Sequence, residues 1–418
     1  MSTRRGNEPA GALVLGDDYK ALGVVRSLGR RGIPVWVQGD GHLLAGRSRY
    51  CARRLPSCDG DEAGQVANLL DIARAHRLQG WVLFPGGEET AALLSRNRAA
   101  LSERYRVAVP PWNVLRWAYD KRLTYRLAAD LGIDHPNTFY PRGADDVARF
   151  AGPFPAILKP AMRPELNRFT MSKAWRVEDA ADLAARYDEA RDLIDPSLIM
   201  VQELIPGGGD GQFSYAALCR AGRPLVSLTA RRTRQWPMDF GRASTYVETV
   251  READVEANGR RVLEALAFDG IVEVEFKRDA RDGRLKLLDI NPRVWGWHTL
   301  GARAGIDFSY LLWRFMSDEP IPTQGARIGV RWVRALTDVP MAIGEIRAGR
   351  LSVSAYLASL RGPIEFAVLA GDDPLPALLE APASAYLAWK RRTTQGRTSP
   401  APRVAEPIVS GLPAGERR

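Results

Sequence analysis

Cysteine and histidine are both scarce in this chain. Its 418 residues include 3 cysteines and 4 histidines. Cys51, Cys58 and Cys219 contain no CxxC pair and cannot build a disulfide framework, and the scattered histidines lack the spacing of a zinc site. This composition is typical of proteins in a reducing compartment, so we expect a cytoplasmic location.

Long apolar runs are also missing. No stretch of about 18 apolar residues occurs, so the sequence predicts no membrane-spanning helix. The first apolar run ends at Asp17 and Asp18, which does not suit a signal peptide. We therefore expect no membrane partner.

The net charge of +10 allows two interpretations. One is binding to nucleic acid. The basic residues, however, are spread along the sequence rather than packed into one tract, and no aromatic-rich RNA motif accompanies them. Solvated faces and a pocket for anionic small molecules explain the charge better, so no nucleic-acid partner is expected.

The first part of the chain, residues 1–116, predicts an open parallel α/β domain. Residues 11–40 form one β-α-β pattern, and Glu62–His76 followed by the strand WVLFP begins a second. The turn Gly16-Asp17-Asp18 lacks the GxGxxG fingerprint of dinucleotide-binding proteins. Ligands bind at the carboxyl ends of such strands, where Glu88 and Glu89 lie. These two acids either meet a substrate amine or simply favour the first turn of a helix, and the sequence leaves both open.

From residue 117 to 320 the pattern changes to mixed helices and alternating strands, which indicates an α+β domain. Residues 321–390 form a less informative C-terminal extension, and residues 391–418 have the composition of a disordered tail. The predicted elements of the middle region are helices Asp120 to Leu131, Val177 to Leu193 and Asp254 to Ala267, with strands Ala156 to Lys159, Leu198 to Ile205, Phe213 to Cys219, Pro224 to Ala230 and Ser244 to Val250.

The most informative segment is the hairpin from Gly270 to Asn291. Strand alternation places Val272, Val274 and Phe276 on one face, and Glu273 and Glu275 on the other. We predict that Leu285, Leu287, Asp289 and Asn291 share a face of the return strand. A three-residue loop, Arg281-Asp282-Gly283, then puts Glu275 opposite Asp289 and Glu273 opposite Asn291.

Two carboxylates and an amide oxygen on one face are hard ligands suited to Mg²⁺. Like charges directly opposite each other destabilise a sheet, which favours a bound cation over solvated acids. We therefore predict a metal site at Glu275, Asp289 and Asn291. Arg293, two residues further on, would point to the same site and stabilise developing negative charge.

Two lysines and one strand suggest a nucleotide. Lys121 opens a predicted helix and Lys159 ends a strand before Pro160, so both ammonium groups suit phosphates. The strand carrying Gln202, Glu203, Leu204 and Ile205 precedes a glycine-rich segment. If its edge is unpaired, its backbone can bind adenine while an acid accepts from ribose; alternatively, it is an ordinary strand.

Taken in order, these motifs resemble the ATP-grasp superfamily, especially its carboxylate-amine ligase, biotin-carboxylase and carbamoyl-phosphate-synthase-like branches. The match covers about residues 11–317. The resemblance implies an N-terminal α/β domain before a two-lobed ATP-grasp domain. The motifs are YDKRLTYRLAADLGI (Lys121), ILKP (Lys159), VQELIPG (Glu203), VEVEF (Glu275) and LLDINPR (Asp289, Asn291 and Arg293).

The resemblance further implies that Lys121 and Lys159 contact the phosphates of ATP and that residues 202–205 hold adenine. Glu275, Asp289 and Asn291 would bind Mg²⁺, with Mn²⁺ as an alternative, and Arg293 would assist the chemistry. The implied reaction is ligation of a carboxylate to an amine through an acyl phosphate. Activation of bicarbonate is the enzymatic alternative, and ATP-dependent regulation without turnover is the other. Oligomerisation is left open.

Two basic segments lie outside the motifs that match the ATP-grasp superfamily. The region after the ILKP strand, residues 161–177, contains no glycine, and Arg163, Arg168 and Lys173 would cover phosphates with side chains instead of backbone amides. A second segment carries Arg231, Arg232, Arg234 and Arg242. This segment is a clamp for phosphate or carboxylate, a nucleic-acid loop or a solvated turn, and its place before the hairpin favours the clamp.

Overall fold

The computed structural model describes residues 10–39, 44–58, 60–163, 167–172, 174–236 and 243–394. The predicted C-terminal tail falls largely outside these ranges. Its first residues, 391–394, belong to the last helix and are not an irregular segment.

The described residues between 10 and 119 form the predicted parallel α/β domain. Five parallel strands lie in the order β3-β2-β1-β4-β5. The central strand β1 is completely buried, or nearly so, along its length because helices cover both faces, as is usual for parallel sheets. The elements are β1 (Ala12–Leu15), α1 (Tyr19–Gly29), β2 (Val35–Gly39), β3 (Cys51–Pro56), α2 (Glu62–His76), β4 (Trp81–Pro85), α3 (Glu88–Arg96), α4 (Arg98–Ser102), β5 (Tyr105–Val107) and α5 (Trp112–Tyr119).

The next lobe is a small antiparallel sheet of four strands in the order β6-β9-β7-β8. One predicted helix begins later than expected. Trp175–Val177 is a strand, and the helix starts at Ala180 because Asp179 caps it by accepting from the Asp182 N–H. The elements are α6 (Lys121–Asp130), β6 (Thr138–Phe139), α7 (Ala144–Val147), β7 (Ala156–Pro160), α8 (Arg168–Ser172), β8 (Trp175–Val177), α9 (Ala180–Arg191) and β9 (Ile199–Glu203).

The largest sheet has seven strands in the order β14-β13-β10-β11-β12-β15-β16. Its last two strands come from the C-terminal extension, so residues beyond 321 complete this sheet. The elements are β10 (Gln212–Arg220), β11 (Arg223–Trp236), β12 (Ala243–Val250), α10 (Ala253–Ala265), β13 (Gly270–Arg278), β14 (Leu285–Asn291), α11 (Thr299–Ala304), α12 (Phe308–Met316), β15 (Arg331–Val333), α13 (Ala335–Arg347), α14 (Val353–Ser359), β16 (Ile364–Phe366) and α15 (Leu375–Thr394).

The hairpin β13–β14 pairs Glu275 with Asp289 and Glu273 with Asn291, as predicted. The turn that produces this register differs from the predicted three-residue loop. The turn spans residues 279–284, and an irregularity next to Glu275 leaves Leu288 without a partner in the ladder. This β-bulge rotates the strand, so Leu285 and Leu287 lie in the apolar core rather than on the face of Asp289 and Asn291. The predicted shared face was therefore wrong, while the predicted pairs were confirmed.

No helix within the described ranges is both long and apolar enough to cross a bilayer. The three cysteines are free thiols.

Candidate active site

A cleft of about 570 Å³ lies where the three sheets meet. It is lined by residues from the N-terminal domain, from both lobes and from the C-terminal extension. The fold therefore brings together residues that are up to 316 positions apart (18 to 334). The lining includes every predicted site residue: Lys121, Lys159, Gln202, Glu203, Leu204, Ile205, Glu275, Asp289, Asn291 and Arg293.

The paired carboxylates of the hairpin are neutralised by cations from other elements. Lys121 Nζ lies 2.6 Å from Asp289 Oδ1. Arg232 Nη2 lies 3.2 Å from Glu275 Oε1. Both basic groups are largely buried, so these charges are screened only weakly by solvent. The site thus holds two acids in fixed positions beside groups that compete with a metal for them.

Asn291 links the acids to the arginine. Its Nδ2 donates to Glu275 Oε1 at 2.9 Å and to Glu273 Oε2 at 3.1 Å, and its Oδ1 accepts from Arg293 Nη2 at 2.9 Å. The amide oxygen therefore faces Arg293 in this arrangement. To ligate a metal between the carboxylates, the amide would have to rotate and exchange its oxygen and nitrogen.

Glu273 is a third acid on the same face and is only 1% exposed. It accepts from the Ser214 hydroxyl at 2.9 Å as well as from Asn291. Burial, followed by the nearby negative charge of Glu275, raises the pKa of Glu273 to about 8. Glu273 therefore takes up a proton far more readily than an exposed glutamate.

The donor set is compatible with Mg²⁺. Within the described ranges no group of three or more His, Cys, Asp and Glu side chains has metal-binding geometry. Mg²⁺ needs fewer protein ligands than that, since it is usually held by one or two carboxylates while substrate phosphates and water complete its shell. Glu275 and Asp289 supply two carboxylates, and Asn291 supplies an amide oxygen if it rotates.

Arg293 is held by an acid from the other end of the chain. Its Nη2 lies 2.7 Å from Glu88 Oε1, at the carboxyl end of β4. Burial acts to lower the pKa of Arg293, but Glu88 and other nearby acids together keep it above the usual value. Glu88 lies in the first turn of α3, which is one of the two roles considered, and its pairing with Arg293 is a further role that was not predicted. Glu89 also lines the cleft.

The expected free strand edge is absent. β9 is an interior strand, and Gln202 pairs with both Thr138 and Ile157. Only Leu204 and Ile205 lie past its end and remain beside the cleft. Lys159 Nζ lies 3.4 Å from Gln202 Oε1 on the neighbouring strand. Backbone contacts to a base are therefore available at residues 204–205, not along the whole strand.

The Glu203 carboxylate was expected to be available to a ribose, but it is already bound. It accepts from Lys286 Nζ at 2.6 Å, from Arg281 Nη2 at 2.5 Å and from the Asn137 N–H at 2.9 Å. Burial opposes ionisation, yet these donors lower the pKa of Glu203 below its usual value. The carboxylate is thus a structural anion at the end of β9.

The four arginines of the basic segment separate. Arg232 lines the cleft, whereas Arg231 pairs with Glu248 and Arg234 with Asp338. Arg242 lies outside the described residues. The register of β11 is irregular between Arg231 and Gln235, and the three described arginines do not converge on one site.

The glycine-free segment also divides. Arg163 lines the cleft, and Arg168 pairs with Glu189 on α9. Lys173 lies outside the described residues. One of the three basic side chains is therefore placed at the cleft.

Sequence reasoning missed one group of residues that line the cleft, called here the aromatic wall. It contains Tyr19, Trp295, Trp297 and Arg334. The guanidinium of Arg334 lies 4.2 Å from the centre of the Tyr19 ring, and its Nε donates to Glu380 at 2.9 Å. No local motif marks Arg334, because its position depends on β15 pairing with β12, far earlier in the chain.

No family model and no curated protein sequence matches the chain. Solved structures do. The biotin carboxylase domain of 2-oxoglutarate carboxylase from Hydrogenobacter thermophilus, solved with MgADP, ADP and bicarbonate, aligns at a TM-score of 0.60 and 13% identity over 76% of this chain and 73% of that one. N5-carboxyaminoimidazole ribonucleotide synthetase from Thermus thermophilus aligns at 0.56 and 17%, over 76% and 81%.

An L-amino acid ligase from Bacillus licheniformis aligns at a TM-score of 0.55 and 16% identity, over 75% of this chain and 77% of that one. All three proteins belong to the ATP-grasp superfamily. The chain therefore has the ATP-grasp fold, as its motifs indicated. At such low identities the likeness establishes the fold and assigns no particular reaction.

Proposed function

We propose that this protein is an ATP-dependent carboxylate-amine ligase. The observation that carries the proposal is the hairpin β13–β14 in its ATP-grasp setting. Its paired carboxylates, Glu275 and Asp289, face a cleft whose lining also includes Lys121, Lys159 and Arg293. This combination suits the transfer of a phosphoryl group, which depends mainly on positioning and charge neutralisation.

All predicted residues except Gln202 and Glu203 have a role in this proposal. Lys121 and Lys159 would bind the phosphates of ATP, and Leu204 and Ile205 would hold the base through their backbone. Glu275, Asp289 and Asn291 would hold Mg²⁺, which when bound neutralises phosphate charge. Lys121 is then shared, because it also contacts Asp289 at 2.6 Å.

The proposed chemistry has two steps. An oxygen of the substrate carboxylate attacks the γ-phosphorus of ATP, the bond to the β-phosphate oxygen breaks, and ADP leaves. The amine nitrogen then attacks the acyl carbon, phosphate departs, and the nitrogen loses a proton as the amide forms. Arg293 lies beside Asn291 and is positioned to stabilise negative charge on the acyl oxygen. Enclosure in the cleft protects the acyl phosphate from water.

The aromatic wall is the proposed site of the organic substrates. Arg232 and Arg334 offer guanidinium groups to a carboxylate, and the half-buried Tyr19 provides apolar surface in front of the core residues Trp295 and Trp297. The acidic side chains of Glu88 and Glu89, from the N-terminal domain, line the same cleft. A substrate with both a carboxylate and an amine fits this distribution of charge.

The test is ADP release from Mg-ATP across a matrix of amino acids, other small carboxylates, amines and bicarbonate. Release that requires both a carboxylate and an amine, together with an amide product found by mass spectrometry, would establish the ligase. Release with bicarbonate alone would instead favour the carboxylase-like alternative. ATP binding without release for any pair would contradict the ligase and favour a regulatory role.

A further inference from the structure

The two lobes are joined by a short linker, residues 204–208, whose ends are firmly held. At one end, Glu203 is bound by Lys286 and Arg281. At the other, Gly209 packs so closely against β11 that a side chain would meet the carbonyl oxygen of Arg232 at 2.8 Å. Between these anchors the sequence is Leu-Ile-Pro-Gly-Gly.

That linker has little means of ordering itself. Pro206 has no backbone N–H, and glycine loses more conformational freedom on ordering than any other residue. Gly207 also adopts a positive φ of 98°, which residues with a side chain rarely adopt. An outside group is needed to hold this backbone in one conformation.

Lys277 on β13 is such a group. Its Nζ donates to the Ile205 carbonyl at 2.8 Å and to the Gly207 carbonyl at 3.0 Å. The residue is 6% exposed, so these hydrogen bonds compensate for burying a charge. Both carbonyls flank Pro206, and one lysine therefore fixes the linker on either side of the proline.

Lys277 also connects the linker to the metal-binding face. It lies two residues after Glu275 on the same strand, so strand periodicity points both side chains to one face. Both residues line the cleft. The distance between the linker and the paired carboxylates is thereby set within a single rigid strand.

We infer that Lys277 is a positioning residue for the nucleotide, which holds the base-binding linker in register with the phosphate-binding and metal-binding groups. This inference rests on the proposed function, since it takes residues 204–205 as the contact to the base. Lys277 acts through that backbone rather than on the reacting atoms. Its loss should therefore affect recognition of the base more than binding of the phosphates.

The experiment compares Lys277→Met with Lys277→Arg and with Arg278→Met. Arg278 is the matched control, because it is the next basic residue on β13, points to the other face and pairs with Glu252 and Asp254. Affinities for ADP and GDP are measured by calorimetry with Mg²⁺. Hydrogen exchange of the amides of Leu204, Ile205 and Gly207 reports the order of the linker directly.

We expect Lys277→Met to lose about tenfold in ADP affinity, the typical worth of a hydrogen bond to a charged group. Its ratio of ADP to GDP affinity should fall toward 1, and its linker amides should exchange faster. Lys277→Arg should recover most of both losses, and Arg278→Met should match wild type.

Unchanged ADP affinity and linker exchange in Lys277→Met would overturn the inference, as would equal losses for ADP and GDP. Should Lys277→Met not fold, the same readouts on Lys277→Arg and on Lys277→Gln decide, since glutamine keeps a neutral donor. Failure of the proposed function looks different, because wild-type protein would then bind no ADP or release none with any substrate pair.

Discussion

Two arginines on one strand show how differently the same side chain is used in this molecule. Arg232 and Arg234 lie two residues apart on β11 and are 8% and 5% exposed. Each guanidinium nitrogen of Arg234 is hydrogen-bonded. Its Nε and Nη2 donate to Asp338 at 2.9 and 2.8 Å, and its Nη1 donates to Ser359 at 2.9 Å. Its guanidinium also lies 4.0 Å from the centre of the Tyr246 ring. Arg232 makes a single contact of 3.2 Å to Glu275, and its buried Nε has no partner within the described ranges.

This difference in hydrogen bonding distinguishes the contact with the C-terminal extension, which stabilises the fold, from the cleft, which is proposed to bind ligands. Where the C-terminal extension joins the rest of the chain, all three guanidinium nitrogens of Arg234 and of Arg26 are hydrogen-bonded; Arg26 Nε donates to the Asp373 carboxylate, and its Nη1 and Nη2 donate to the Val368 and Asp373 carbonyls. In the cleft, charges are held close together with unmet hydrogen-bonding capacity. Complete pairs stabilise a fold, whereas incomplete buried pairs are suited to receive a charged ligand.

The largest effect should come from the cleft. Asp289→Asn removes one of the two carboxylates proposed to bind the metal, and turnover should fall at least about 10³-fold because a metal contributes several kcal/mol to such a reaction. The measurement is ADP release with the substrate pair found in the matrix. The fold should persist, as judged by thermal unfolding. Full activity in this variant would show that Asp289 does not bind the metal.

The opposite effect is expected for Asp338, which is fully buried and faces Arg234. Asp338→Asn leaves a buried arginine without its counter-ion and should lower the free energy of unfolding by about 3–5 kcal/mol. Chemical denaturation measures this. Turnover of the folded protein should not change, since Arg234 and Asp338 do not line the cleft. A large loss of turnover at unchanged stability would remove the distinction between the two regions.

Replacing Arg232 or Arg234 by lysine tests the comparison between the two arginines with the same chemical change. Lysine keeps the charge but loses the planar fork. Arg232→Lys should lower kcat/KM about 10²-fold at nearly unchanged stability. Arg234→Lys should lower the free energy of unfolding by about 2 kcal/mol at unchanged kcat/KM, because it loses charged hydrogen bonds and ring stacking.

Each lysine variant is the control for the other. Both are assayed for kcat/KM and for denaturant unfolding in the same buffer. If both variants lose stability and keep activity, Arg232 is structural and the proposed substrate wall is wrong at that position.

The smallest effect concerns the one incomplete carboxylate identified in the C-terminal region. Glu365 on β16 borders a cavity of about 190 Å³ near Arg30, and no hydrogen bond or ion pair to its carboxylate occurs within the described residues. Burial raises its pKa from 4.5 to about 7. The folded state therefore binds its proton more tightly than the unfolded state does. The resulting stability is present below about pH 4.5 and is lost as the pH rises through 7.

Glu365→Gln stays neutral, so at pH 8 it should be more stable than wild type by about 1–2 kcal/mol. At pH 4.5 the two proteins should have nearly equal free energies of unfolding. Denaturation curves at both pH values measure the difference. An equal gap at both pH values would show that titration of Glu365 does not contribute.

Much of the architecture was readable from local pattern. The α/β domain, the hairpin and the facing pairs Glu275 with Asp289 and Glu273 with Asn291 all follow from short-range periodicity. The register was right for a partly wrong reason, since the bulge at Leu288 compensates for a longer turn. Such a compensation depends on the core beneath β14, where Leu285 and Leu287 are buried, and no local rule encodes it.

The sequence by itself identified the candidate residues: hard oxygen ligands, lysines at element ends and a following arginine, because their identification depends on residue type and strand period. Tertiary structure alone decided which of these side chains are already bound to other protein groups and which distant residues join them. Glu203 forms ion pairs within the protein, and Glu88 pairs with Arg293. Arg334 follows a strand of the C-terminal extension and lines the cleft. These outcomes depend on contacts across 83 positions (203 to 286), 205 positions (88 to 293) and 315 positions (19 to 334), and a local pattern carries no information about partners so distant in the chain.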